Sequence, residues 1–414
     1  MVLVLPTTFA RICCNHELFI VRPRMNALAI CLELATLFSP STIGKVEVKN
    51  RIIRSATYAR MATKDGRVTD PLLQLYADLA RGGSGLIITG FIAVDPAGTG
   101  GPSNLSYFDD TYIADHQKLI EGVREASPDV KIGAQIAHSG RQSSHPRYEA
   151  VAPSAVLEKG SGRMPRELTV DEIGTIIEEF VAAGRRAFES GYDLVQLHAA
   201  HGYLLSSFLS PYMNVREDEF GGSPRNRARI LVEIFNGLRS EVGANFPIAV
   251  KLQTEDGVPV GLTLTEATEI AKYIVDAGCA AIEVSGGFYE TLMSKGWGIP
   301  SNVVKTPEDE NYFLLAALAM KDAVPDCPII LVGGVRNPVT ADQILQDRQA
   351  DFISICRPLI CEPDLPIRWS NGDLTPPLCI SCNSCYQSIL AGPVECLVKQ
   401  RLLRKRKKQQ NRSI

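Results

Sequence analysis

The chain lacks any apolar run long enough to cross a bilayer. A span takes roughly 18–20 apolar residues, and the best stretch, Asn26 to Phe38, is shorter and carries Glu33. No GxGxxG turn follows the first strand-like segment, which ends in Ser55-Ala56-Thr57-Tyr58. The usual mark of an open, doubly wound dinucleotide-binding sheet is therefore missing. There is no HExxH pair either, so the helical zinc site of the metalloproteases is excluded. Acidic residues are absent from 401–414, which hold seven Lys or Arg. The whole chain carries −3, so without those seven charges the body stands near −10. An acidic body argues against nucleic-acid binding. The basic end reads as a solvated, disordered tail, with a targeting signal or a contact to an anionic surface as the alternatives.

Cysteines are not arranged as a disulfide framework. Seven of the eleven are scattered: Cys13, Cys14, Cys31, Cys279, Cys327, Cys356 and Cys361. Such thiols point to a reducing compartment, hence a cytoplasmic protein. The first 34 residues set Arg11, Arg22 and Arg24 against only Glu17 and Glu33. An Arg-bearing, acid-poor leader is the composition of an organellar transit peptide. An upstream extension ahead of Met25 is the other reading.

What is present is a long alternation. The chain has 414 residues, 45 % hydrophobic and 21 % charged, ordinary for a soluble protein with a large core. Short runs with almost no charge occur at 51–57, 85–90, 131–137, 194–199, 247–252, 280–285, 329–332 and 351–355. Each is too short for a helix and reads as a strand buried on both faces. Helical patterns fall between them, at 71–81, 169–190, 224–242, 265–277, 309–323 and 338–346. Asp70-Pro71 offers an N-cap and a first-turn proline, and Thr169 to Glu172 is a capping box. Eight strands alternating with helices predict an α/β protein with a closed (β/α)8 TIM barrel. In that fold the chemistry sits at the C-terminal ends of the strands.

Those ends carry chemically useful residues. The fourth strand runs into His198, His201 and Tyr203. Two imidazoles this close could hold a carbonyl oxygen, with the phenol as proton donor. They also read as two satisfied core histidines or as half a metal site. Gln135 on the third strand offers a donor and an acceptor side by side. Lys251 on the fifth needs an anion, either a ligand or a carboxylate such as Glu255 or Asp256. Gly333 and Gly334 after the seventh strand and Arg357 after the eighth form the pairing with which barrels bind phosphate.

Taken together, these segments resemble the Old Yellow Enzyme family of NADH:flavin oxidoreductases over about residues 35–375. The carrying stretches are Lys49 to Thr57, Gly82 to Gly90, Gln135 to Arg141, and the long block from His198 through Ser210-Pro211 to Arg227. The resemblance implies an enzyme with FMN as cofactor and NADH or NADPH as reductant. The substrate it implies is the activated C=C bond of a small enone or enal (an ene-reductase). It assigns His198 and His201 to the substrate carbonyl and Tyr203 to protonation of the α-carbon. Gln135, Lys251, Ser55, Ala56 and Thr57 are assigned to the flavin ring, and Gly333, Gly334 and Arg357 to its phosphate. Three positions depart from many relatives: Lys251 in place of Arg, Tyr58 in place of Cys or Thr, and Phe91 in place of a smaller residue. A homo-oligomer is compatible with such a barrel.

The remaining cysteines follow the barrel: Cys379, Cys382, Cys385 and Cys396, spaced C-x2-C-x2-C-x10-C. The pattern resembles the cluster segment of the dienoyl-CoA reductase and trimethylamine dehydrogenase branches. It is compatible with a [4Fe–4S] cluster, a zinc site or a plain reduced segment. A cluster would imply a dehydrogenase passing electrons to a separate partner. The expected division is a leader over 1–34, the FMN-binding barrel over 35–375, a cysteine segment over 376–398 and a disordered tail over 399–414.

Overall fold

A computed structural model describes residues 34–143, 145–291 and 301–410. The leader therefore lies outside the described residues except for Leu34, which is buried in the core. All eight expected strands form: β1 (Ile52–Arg54), β2 (Leu86–Ile88), β3 (Lys131–Ala137), β4 (Leu194–Ala199), β5 (Ile248–Gln253), β6 (Ala281–Ser285), β7 (Ile329–Leu331) and β8 (Phe352–Ile355). Each pairs in parallel with the next, and β8 pairs with β1, closing the barrel. An antiparallel hairpin, Ser41–Ile43 with Val46–Val48, precedes β1. Its Ile43 and Val48 pack with Ile53, Leu86, Leu194, Ala249, Ile330 and Phe352 and plug the N-terminal end. The far end is left open for a site.

The outer helices start where local chemistry allows. They are α1 (Asp70–Arg81), α2 (Ile113–Ala126), α3 (Val170–Ser190), α4 (Pro224–Val242), α5 (Leu264–Asp276), α6 (Leu314–Ala323) and α7 (Pro338–Gln346). The N-cap of α1 is Thr69 rather than Asp70. Thr69 is extended and its hydroxyl accepts from Leu72 N–H, which leaves Asp70 inside the first turn. Thr169 with Glu172 and Thr263 with Glu266 close reciprocal capping boxes on α3 and α5. Helix α6 begins later than its pattern suggests. Asn311 sits at φ 54°, in the left-handed region, and separates it from a single turn at Pro307–Asp309.

Beyond β8 come α8 (Arg357–Cys361), α9 (Leu365–Ser370), α10 (Ser384–Ala391) and α11 (Leu397–Gln410). Helix α11 corrects the expectation of a structureless tail and crosses the boundary placed at 398. Its Leu, Lys, Arg and Gln are strong helix formers, with no Gly or Pro to interrupt them. Among the described residues no helix is long and apolar enough to cross a membrane.

Candidate active site at the C-terminal mouth of the barrel

A single cavity collects every residue expected to touch flavin or substrate: Ser55, Ala56, Thr57, Gln135, His198, His201, Tyr203, Lys251, Gly333, Gly334 and Arg357 all line it. The β-period of two explains the core of this set. Gln196 and His198 face inward on β4, with Gln196 beside Gln135 of β3 and His198 beside Lys251 of β5. Lys251 in turn stands beside Glu283 of β6.

The barrel centre is polar and internally satisfied. Lys251 Nζ lies 2.9 Å from Glu283 Oε1 and 2.9 Å from Ser55 Oγ. Ser55 and Ser354 each donate to Glu283 at 2.8 Å. Gln135 donates to Gln196 at 2.8 Å, and Gln196 to Glu283 at 2.9 Å. The charge of Lys251 draws the fully buried Glu283 below its usual pKa despite desolvation. Glu255 and Asp256, expected as carboxylate partners, do not take that role. They lie past the end of β5, and Asp256 is held by Ser210, Gln253 and the N–H of Leu262. Glu283 and Gln196 were not singled out from the sequence. Each is a lone polar residue in an apolar run, and only the barrel's closure shows that they meet.

His198, His201 and Tyr203 form a tight group above this network. Ring centres are 4.9 Å apart for the two histidines and 5.0 Å for His198 and Tyr203. The turn that gathers them needs left-handed backbone at His201 (φ 68°) and Gly202 (φ 76°). The Gln253 side chain accepts from His201 N–H at 2.9 Å, and Gln142 donates to His201 O at 2.7 Å. His198 does not read as a satisfied core histidine, whereas His201 has a ring partner. His201 Nε2 meets Ser285 Oγ at 2.7 Å, and buried His198 Nδ1 has no hydrogen-bond partner among the described residues. Burial, then the charge of Lys251, lowers His198 to about 3. Burial, then His198 and Lys251, takes His201 well below its ordinary value. Burial pushes Tyr203 up to about 12. At neutral pH the group therefore presents two uncharged imidazoles and a protonated phenol. Phe91 leans on it, 5.5 Å from Tyr203 between ring centres, and Tyr58 stacks on Phe91 at 6.3 Å. The Tyr58 hydroxyl is fixed on Pro102 O.

At the other end, Gly333 (φ 112°) and Gly334 (φ 77°) bring backbone close to the cavity. A Cβ on Gly333 would stand 2.7 Å from the rings of Tyr312 and Phe313. Arg357 lines the cavity, but its Nη1 is engaged by Asn302 O (2.7 Å), Ser381 O (3.1 Å) and Asn383 Oδ1 (2.7 Å). Arg336 also lines the cavity, and its buried Nε has no hydrogen-bond partner among the described residues. It was missed in the sequence, although it follows Gly333-Gly334-Val335 directly. The donor set fits FMN: glycine backbone and two arginines would hold a phosphate, and Ser55, Gln135 and Lys251 would contact a flavin ring.

The cysteine segment does not fit an iron–sulfur or zinc site. Among the described residues no group of three or more His, Cys, Asp or Glu side chains is placed to hold a metal. Cys379 is buried, Cys382 is exposed, and Cys385 and Cys396 are half-buried. Only Cys382 and Cys385 reach the cavity. Close spacing in sequence does not by itself converge four thiolates on one point.

Fold and site together define a closed parallel (β/α)8 barrel with a cavity at its C-terminal mouth whose lining fits a flavin. The chain matches the NADH:flavin oxidoreductase / NADH oxidase family over residues 36–374. It belongs to that family, the Old Yellow Enzyme family, which uses FMN with NADH or NADPH. It is 37 % identical over 352 residues to an NADH oxidase of Thermoanaerobacter brockii, covering 84 % of this chain and 52 % of that protein. It is 35 % identical over 331 residues to an NADPH dehydrogenase of Geobacillus sp. strain WCH70, covering 80 % and 92 %. Among solved structures, a 2-naphthoyl-CoA reductase complexed with 2-naphthoyl-CoA superposes with a TM-score of 0.81 at 27 % identity, covering 88 % of this chain and 57 % of that one. The chain thus spans about half the length of some curated relatives that it matches.

Proposed function

We propose that the protein reduces the activated C=C bond of small α,β-unsaturated carbonyl compounds, using NADH or NADPH as electron donor. The observation that carries this reading is the group of His198, His201 and Tyr203, neutral at physiological pH and facing one cavity. Bound FMN supplies the hydride for the β-carbon. His198 and His201 donate N–H hydrogen bonds to the carbonyl oxygen, where negative charge grows as the alkene is reduced. Tyr203 keeps its proton until the α-carbon needs it. Lys251, oriented by Glu283 and Ser55, puts a fixed cation under the ring-binding part of the cavity. Phe91 and Tyr58 form an aromatic wall that favours a flat, conjugated substrate over a branched one.

The test is spectroscopic. Anaerobic protein reconstituted with FMN should bleach when NADH or NADPH is added and recover its colour with cyclohexenone. Recovery with oxygen alone, and none with any enone, would remove the ene-reductase reading and leave an oxidase.

The charge state of the clamp adds a second expectation. With His198 lowered to about 3, enone binding to the oxidised enzyme should be flat from pH 8 to pH 5. An unperturbed imidazole would change charge within that window. A KM or Kd for cyclohexenone that shifts through a midpoint near 6.5 would show that a clamp histidine is charged there.

A further inference from the structure

The C-terminal arm is tied across the mouth of the cavity. Asn383 uses both ends of its amide, accepting from Arg357 Nη1 and donating to Ser301 O, each at 2.7 Å. Arg60 donates to Ile389 O at 2.6 Å and to Leu390 O at 2.8 Å, and Val394 N–H donates to Ala59 O at 2.9 Å. Between these ties runs α10. It starts at the phosphate end, where Asn383 holds Arg357, and finishes beside Ala59 and Arg60, which directly follow Tyr58. Tyr58 reaches Tyr203 through Phe91, so the far end of α10 belongs to the aromatic part of the cavity. Cys385, Tyr386 and Ile389 line the same cavity as His198, His201 and Tyr203. At 3.6 residues per turn these three fall within about 100° of arc, one face of the helix. Ser388 is not part of the lining. Its hydroxyl fixes the next turn of the arm, donating to Cys385 O at 2.7 Å and accepting from Glu395 N–H at 2.9 Å. Tyr386 is the largest of the three lining residues and stays 51 % exposed, so its ring borders open space rather than filling the core.

We propose that Tyr386 is a specificity-determining residue, a wall carried by the arm that limits the cavity to compact, single-ring substrates. The barrel's own strand ends leave the mouth open, and the arm supplies a side they lack. A phenol suits that place, because its ring offers an apolar face while its hydroxyl stays in water. Together with Phe91 and Tyr58 it bounds the space next to Tyr203. Burial, then the phenols of Tyr386 and Tyr58, raises Tyr203, as three phenols around one space should. A substrate carrying a second, bulky ring has to displace Tyr386 and the tied helix that holds it. Cutting back a ring that borders open space mainly enlarges that space and leaves the core packing alone. The identity of the substrate rests on the ene-reductase reading above; the wall itself rests on the lining and the ties of α10.

The experiment compares wild type, Tyr386→Ala and Tyr386→Leu as full-length, FMN-reconstituted protein. Two ketones without a C=C bond to reduce, cyclohexanone and 4-phenylcyclohexanone, are titrated into the oxidised protein, and binding is read from the flavin absorbance. Tyr386→Ala should tighten 4-phenylcyclohexanone relative to cyclohexanone by about tenfold, the scale of discrimination a steric wall in an apolar pocket supplies. Tyr386→Leu should show a smaller gain in the same direction. With the matching enones, KM for 4-phenylcyclohexenone should fall in Tyr386→Ala while kcat for cyclohexenone barely changes. Leu390→Ala alters an exposed residue of α10 outside the lining and should leave both ratios as they are. An unchanged ketone ratio in both Tyr386 variants, an equal loss for the two ketones, or loss of FMN by either Tyr386 variant would each overturn the proposal. If NADH or NADPH bleaches the wild type and no enone restores its colour, it is the ene-reductase reading that fails, and the ketone ratio alone decides the role of Tyr386.

Discussion

Replacing Tyr203 by phenylalanine should slow reoxidation of the reduced flavin by cyclohexenone by about 10²–10⁴-fold, the usual worth of a positioned general acid. Reduction by NADH or NADPH should stay within a small factor of wild type, because that half-reaction needs no proton from Tyr203. The fold should persist. The phenol ring is kept, and with it the packing against His198 and Phe91. Stopped-flow measurement of the two half-reactions separates these effects. A fall in both rates together would mean that Tyr203 only shapes the cavity. No fall in the second would place the proton donor elsewhere, with water as the first alternative. Tyr203 is pushed up to about 12, so the proton stays on the phenol up to high pH and the enone half-reaction should not decline between pH 7 and 9.

The second large effect lies under the ring site. Glu283→Gln removes the only carboxylate in contact with Lys251 among the described residues. Both side chains are almost entirely buried. Breaking such a pair strands a charge and should cost about 3–5 kcal/mol in a denaturant titration. The pair also shapes acid stability. The folded-state pKa of Glu283 is depressed, so its contribution is present above the ordinary carboxylate range and is lost as pH falls through the lowered value. Glu283→Gln should flatten that part of the acid-stability curve. A double change, Lys251→Met with Glu283→Leu, should recover much of the loss, because well-packed apolar side chains can replace a buried ion pair at little cost. If Glu283→Gln alone is neutral, Lys251 is compensated by some other group and the network matters less than its geometry suggests.

Residue period explains why so much of this was readable beforehand. Short, nearly uncharged runs mark β1 to β8, and their ends point to His198, His201, Tyr203, Gly333 and Arg357. The signals that failed were local ones overridden by neighbours. Asp70 looks like a cap, but Thr69 adopts the extended backbone that capping needs. The pattern of α6 runs back to Asp309, but Asn311 breaks it with a positive φ. The basic tail was read from its charge, which said nothing of the helix-forming residues that carry it.

The sequence by itself determined the barrel, the family and the residues at the strand ends, because strand period and motif spacing are properties of the chain. Only the tertiary structure decided what those residues touch. Lys251 lies next to Glu255 and Asp256 in sequence, yet barrel register sets it against Glu283. Cys396 is spaced to join Cys379, Cys382 and Cys385, yet among the described residues no three such side chains are placed to hold a metal. Partners far apart in the chain are chosen by closure and register, which depend on how all eight strands pack together, and no local pattern encodes that choice.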